Sequence, residues 1–150
     1  MWEEREPFVA RPHKIRRIVI PVAVLLLVAF TIVGLLLKHG STGAHFGTSD
    51  QVAMVALGVV LAAAALLPLR PRVRANTHWI EVRNVLGAQR YDWSAVRGIS
   101  FPDGAPWARL ELPADEYVPV MAIQAGDGER AVIAMRELRG LYRDAAGSPR

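Results

Sequence analysis

The side chains in this sequence best suited to chemistry are guanidinium groups, and they fall in three clusters. Arg70, Arg72 and Arg74 follow an apolar run. Arg83 and Arg90 flank Asn84-Val85-Leu86-Gly87-Ala88, and Arg136, Arg139 and Arg143 recur at helical spacing. A planar guanidinium offers a fork of N–H donors to a carboxylate or phosphate, so two on one hairpin can grip a single phosphate bidentately. The chemistry on offer is recognition of anions. Catalytic groupings do not emerge from the pattern. Asp115 and Glu116 are adjacent acids in a turn, not a spaced acid–base pair. His13, His39, His45 and His78 are scattered, and although His39 and His45 share a loop, two ligands make a poor metal site. With no cysteine, disulfides, thiolate nucleophiles and Cys-ligated zinc are ruled out. No P-loop, dinucleotide fingerprint or Gly-x-Ser-x-Gly elbow occurs. The expectation is a non-enzymatic protein without metal or cofactor.

The elements that carry these arginines are governed by two apolar runs. Ile18 to Leu37 and Val52 to Leu69 contain no charged residue. As helices rising about 1.5 Å per residue they cover roughly 27–30 Å, the thickness of a bilayer's hydrocarbon core. A spanning backbone must satisfy its own hydrogen bonds, so the runs are expected to form a two-helix transmembrane hairpin. Pro21 falls in a first helical turn and Pro68 at a helix end, where a missing N–H is tolerated. Lys14, Arg16 and Arg17 abut the first run, and Arg70, Arg72 and Arg74 follow the second. The positive-inside rule then puts both termini in the cytoplasm and loop 38–51 outside, in a multi-pass protein of the inner (plasma) membrane. A cleaved signal ending near Thr42-Gly43-Ala44 is the rival. The first run is longer than a usual h-region of about 7–15 residues, and Glu3, Glu4 and Glu6 precede it. Neither run holds an ionisable residue, which argues against a proton relay or ion path. Gly58 and Ala62–Ala65 offer a small-residue face for contact within the hairpin.

Residues 70–150 hold twelve Arg against ten Asp and Glu, so the basic balance of the chain does not imply a nucleic-acid partner. From Thr77 the pattern becomes short strands and turns. His78, Ile80 and Val82 alternate with Trp79, Glu81 and Arg83, and Asn84–Gly87 turns the chain into a second strand, Gln89–Asp92. Val96–Phe101 is a third strand, stopped by Pro102-Asp103-Gly104; Trp107–Leu112 and Tyr117–Ile123 follow around a turn at 113–116. Asp127 is read as N-cap of a helix from Glu129 to Asp144, with Ala131, Ala134, Met135, Leu138, Leu141 and Tyr142 on its apolar face. Trp93 is expected in the core. The expected organisation is a cytoplasmic N-terminal segment (1–17), helices at 18–37 and 52–69 around loop 38–51, a basic linker (70–76), a domain (77–146) and a tail (147–150).

The residues Val82-Arg83-Asn84, Trp93-Ser94-Ala95-Val96, Phe101, Trp107-Ala108-Arg109-Leu110, Pro119 to Gln124, Gly126-Asp127-Gly128 and Leu138 occur in the order of a pleckstrin-homology (PH) domain. The tail over roughly 77–143 resembles the bacterial PH-like domains that follow two transmembrane helices in actinobacterial membrane proteins. The resemblance implies an α+β chain: the hairpin, then a small antiparallel β-sandwich or barrel capped by one C-terminal helix. In lipid-binding members of the wider fold a basic cluster at the first hairpin grips headgroup phosphates; here that hairpin offers Arg83 and Arg90 and no lysine. The leading expectation is a membrane-anchored module that binds a membrane-associated protein at the cytoplasmic face. The alternatives are binding of anionic phospholipid headgroups, or an accessory or assembly subunit of a larger membrane complex. Candidate contacts are Arg70, Arg72, Arg74, Arg83, Arg90, Arg136, Arg139 and Arg143.

Overall fold

The computed structural model describes residues 6–37, 39 and 47–147. The chain forms two compact units, residues 15–69 and, from both sides of them in sequence, the segment up to residue 14 together with residues from 70 onward. His45 and most of loop 38–51 lie outside the described residues.

Residues 15–69 hold two helices long and apolar enough to cross a membrane, α1 (Lys14–Leu37) and α2 (Thr48–Ala65). Both start four residues before their apolar runs. In α2 the extra turn is fixed by Asp50, whose carboxylate accepts a 2.8 Å bond from the Gly47 N–H and sits where the helix dipole favours negative charge. At the other end Pro68 cannot continue the helix, and Leu67–Leu69 tighten into a 3₁₀ turn. The small residues are used within the hairpin: Ala23, Gly34, Gly58 and Ala62 are its buried positions. A Cβ at Gly58 would fall 2.6 Å from that of Phe30, so the helices meet where only glycine fits.

The other unit is an α+β sandwich. Its first sheet has the order β1 (Phe8–Ala10), β2 (Arg72–Ala75), β3 (Trp79–Arg83) and β4 (Ala88–Asp92), all antiparallel. The second is β5 (Gly98–Ser100), β6 (Trp107–Glu111) and β7 (Tyr117–Gln124). Helix α3 (Glu129–Gly147) packs on the second sheet. Period-two alternation turns Val73, Ala75, Ile80 and Val82 inward. They meet Ala108, Leu110, Val120 and the apolar stripe of α3, where Ala131, Ala134, Met135 and Leu138 are buried and Leu141 and Tyr142 partly so. A register shift between Trp107 and Ala108 accompanies the burial of both Ala122 and Ile123, consecutive residues on β7.

Four expectations are corrected. Pro21, expected in the first turn of its helix, is the eighth residue of α1. Residues 8–10, within the segment 1–17 read as a cytoplasmic lead-in, are a sheet strand. So are residues 72–75, inside the expected linker 70–76: in Arg72-Val73-Arg74-Ala75 the arginines alternate with buried residues. Asp127 does not cap α3. Its carboxylate accepts the backbone N–H groups of His13 (3.2 Å) and Lys14 (2.8 Å), and the Ala131 N–H at the start of α3 bonds to the Gly128 carbonyl instead.

The β6–β7 turn stores strain. Ala114 and Asp115 both adopt left-handed backbone, φ 62° and 58°, in a loop closed by Leu112 N–H donating to Glu116 O at 2.9 Å. Alanine at such a position is disfavoured by about 1 kcal/mol relative to glycine. Ala114→Gly is therefore expected to stabilise the protein by about 0.5–1 kcal/mol, read as a higher midpoint in chemical denaturation; an unchanged or lower midpoint would contradict the strain assignment.

Candidate functional site

The first sheet gathers arginines from two of the three sequence clusters onto one face. In an antiparallel sheet, directly opposed residues point the same way. One row across the outer face reads Val9, Arg74, Glu81, Arg90. The next, towards the β3–β4 turn, reads Arg72, Arg83, Ala88; the row at the other end is Trp79 and Asp92. Arg72, Arg74, Arg83 and Arg90 thus share a surface with two carboxylates. Arg70 is exposed just ahead of β2.

The charges on this face are unevenly matched. Glu81, central and mostly covered, receives Arg90 Nη2 at 3.4 Å. The Arg90 guanidinium also lies over the Trp79 ring, 4.1 Å from its centroid, a cation–π contact that holds it flat against the sheet. Arg72 has no such partner among the described residues and sits directly opposite Arg83, a like-charge pair of the kind that destabilises a sheet. Its pKa is lowered, first by burial and then by the charges of Arg74, Arg83 and Arg11, with Glu81 opposing. The Nε atoms of Arg72 and Arg74 are buried with no hydrogen-bond partner among the described residues. A buried donor without an acceptor is a standing penalty. An anionic surface laid on this face would relieve the repulsion.

Arg136, Arg139 and Arg143 belong to α3 and are not brought into these rows. Arg139 Nε donates to Ile99 O at 3.3 Å, tying the helix to β5, and Arg143 Nε donates to Arg139 O at 3.3 Å. Arg136 and Arg139 border a groove with Phe101, Val132 and Met135. Of the tryptophans, Trp93 is buried, whereas Trp79 serves as the platform under Arg90. Sequence reasoning missed the contribution of Val9 to the face. The placement of Arg72 and Arg74 was open to it, since Arg-Val-Arg-Ala alternates with the period of a strand.

A family model for the bacterial PH domain matches residues 70–141. Three mycobacterial relatives are each 53% identical to the chain over 133 residues, covering 89% of it and 86% of their own length. They are the uncharacterized proteins Rv1417 and MT1460 of two Mycobacterium tuberculosis strains and Mb1452 of Mycobacterium bovis. No solved structure matches. With its two sheets and single C-terminal helix following two long apolar helices, the chain belongs to the same family as these mycobacterial relatives and carries a bacterial PH-like domain.

Proposed function

We propose that this is an integral protein of the plasma membrane, with both termini cytoplasmic, whose PH-like domain binds a membrane-associated protein partner through the arginine face of the first sheet. The module is non-enzymatic in this reading. Support for the membrane comes from the surface of α1 and α2, where Leu25, Leu36, Val52 and Val60 are among many large apolar side chains left exposed. Water penalises such a surface and lipid does not. The β1–β2 pairing supports an even number of crossings. It sets Ala10 opposite Val73, so the chain leaves towards α1 and returns from α2 side by side. The basic flanks supply the direction.

The observation that carries the partner reading is the outer face itself. It sets Arg74, Arg90 and Trp79 on one surface, and arginine with tryptophan is the composition of interface hot spots. Its excess of guanidinium groups, with Arg72 set opposite Arg83, calls for an acidic partner. The test is affinity capture of the full-length protein in mild detergent, comparing wild type with Arg74→Glu/Arg90→Glu. Partners retained by wild type are expected to be lost, at least tenfold, from the charge-reversed protein, both being compared well below the lower of their two melting temperatures because the reversal sets three carboxylates in one row. Equal retention by both would discard the arginine face, and capture by the α1–α2 hairpin alone would favour an accessory subunit docked through its helices.

A further inference from the structure

The β3–β4 turn presents the most exposed large apolar side chain of the PH-like domain, Leu86, at 100% exposure. It does so from a fixed base. The Asn84 N–H donates to Gly87 O at 2.8 Å, closing the turn. The Asn84 side chain then donates to Pro119 O at 2.8 Å and accepts from the Met121 N–H at 3.3 Å, fastening the turn to β7. Leu86 is therefore held out, where folding back would have hidden it. A leucine kept wholly in water at a rigid tip is an unspent apolar contact.

The register says what faces that tip. Arg83, the last residue of β3, pairs with Arg72, the first of β2, and Ala10, the last of β1, pairs with Val73. The turn thus projects from the same end of the sheet as the two chain segments that connect to α1 and α2. Arg72 is three residues beyond Leu69, a reach of at most about 10 Å of extended chain, and Leu86 is three residues beyond Arg83. The connection between β2 and β3, residues 76–78, lies at the opposite end.

We propose that the β3–β4 tip is a second membrane contact: Leu86, with Val85 beside it, enters the interfacial layer of the bilayer while Arg72 and Arg83 lie at the phosphates. The occupant is the lipid surface in which α1 and α2 are embedded, so the inference rests on their spanning a membrane. An apolar side chain inserted below a row of guanidinium groups is the arrangement that interfacial segments use, with apolar burial and attraction to anionic headgroups acting together. The contact would fix the orientation of the domain, and hence the direction in which the arginine face is offered.

The chain has no cysteine, so a single introduced one carries a label uniquely. Full-length Leu86→Cys, Thr77→Cys and Val28→Cys, each labelled with an environment-sensitive fluorophore, are placed in nanodiscs of phosphatidylethanolamine and phosphatidylglycerol. Thr77 marks the opposite end of the sheet and Val28 the middle of α1, and both are exposed. The Leu86 probe is expected to be blue-shifted and quenched several-fold more by a lipid-borne quencher than the Thr77 probe. Equal aqueous quenching at 86 and 77, with Val28 in the lipid phase, overturns the tip contact and leaves the spanning helices intact. An aqueous Val28 probe overturns the spanning reading and the tip contact with it.

Discussion

A chain in which residues 15–69 are replaced by a short Gly/Ser linker is expected to fold as a soluble domain, whereas a fragment beginning at Arg70 is expected to be less stable by about 3 kcal/mol or more. The matched family segment starts at residue 70 and so leaves out β1. Without β1, the exposed edge of β2 loses its ladder and the cover over Val73 and Ala75, both 0% exposed, is reduced. Phe8 and Ala10, packed against the core, go with it. Burial of one large apolar side chain contributes about 1.5–3 kcal/mol when complete; Phe8 supplies part of that and the lost strand pairing more. Asp127 would also lose both its backbone donors, His13 and Lys14. Closing the gap is easy because Ala10 and Val73 are already register partners, and short-loop closure adds little entropy. Urea unfolding of the two soluble proteins measures the difference. Equal midpoints would mean that the N-terminal strand is an ornament on a domain complete without it.

This dependence also explains what could be read from the sequence and what could not. The apolar helices, the β3–β4 hairpin, the turn at Pro102-Asp103-Gly104 and the apolar face of α3 all follow from local periodicity and turn chemistry, which a single chain displays openly. Phe8-Val9-Ala10 does not. The four residues between Pro7 and Pro12 are too few for a period, and the strand exists only because β2, more than sixty positions later, offers an edge. Arg72 and Arg74 misled for a related reason. Their charge suits a membrane-flanking segment, and the two readings, orienting charge and outward face of a strand, do not exclude each other. Asp127 looks like a cap in the sequence because the nearest helix is α3, whereas its donors lie 113 and 114 positions away. At the candidate site, the sequence supplied the residue types, and only the register revealed that Arg72 faces Arg83 while Glu81 faces Arg90.

The largest single-residue loss is expected at Trp93, where Trp93→Ala should destabilise the domain by about 3–5 kcal/mol, because a buried aromatic side chain leaves a cavity that its neighbours fill only partly. Trp93 begins the short 3₁₀ turn that carries the chain from the first sheet to the second. Its indole N–H donates to Asn76 O at 2.7 Å, fastening it to the β2–β3 connection, whose Asn76 side chain in turn accepts the N–H groups of His78 and Trp79. The ring meets Tyr142 of α3 edge-on, centroids 5.8 Å apart. The Tyr142 hydroxyl donates to Arg97 O at 2.8 Å just beyond the same turn. The Trp93 side chain therefore ties the first sheet to the helix, and Tyr142 carries the tie on to the segment that enters the second sheet. Trp93→Phe keeps the ring contact but orphans the Asn76 carbonyl, and is expected to cost about 1–3 kcal/mol; Tyr142→Phe, which loses only the hydroxyl bond, about 1 kcal/mol. A Trp93→Ala/Tyr142→Ala double-mutant cycle should return a coupling of about 0.5–1.5 kcal/mol for the edge-on pair. Strict additivity would show that α3 is held by its Leu138 and Met135 face alone. A measured coupling would instead make the Trp93 turn the point through which helix, both sheets and the base of the arginine face are kept in one arrangement.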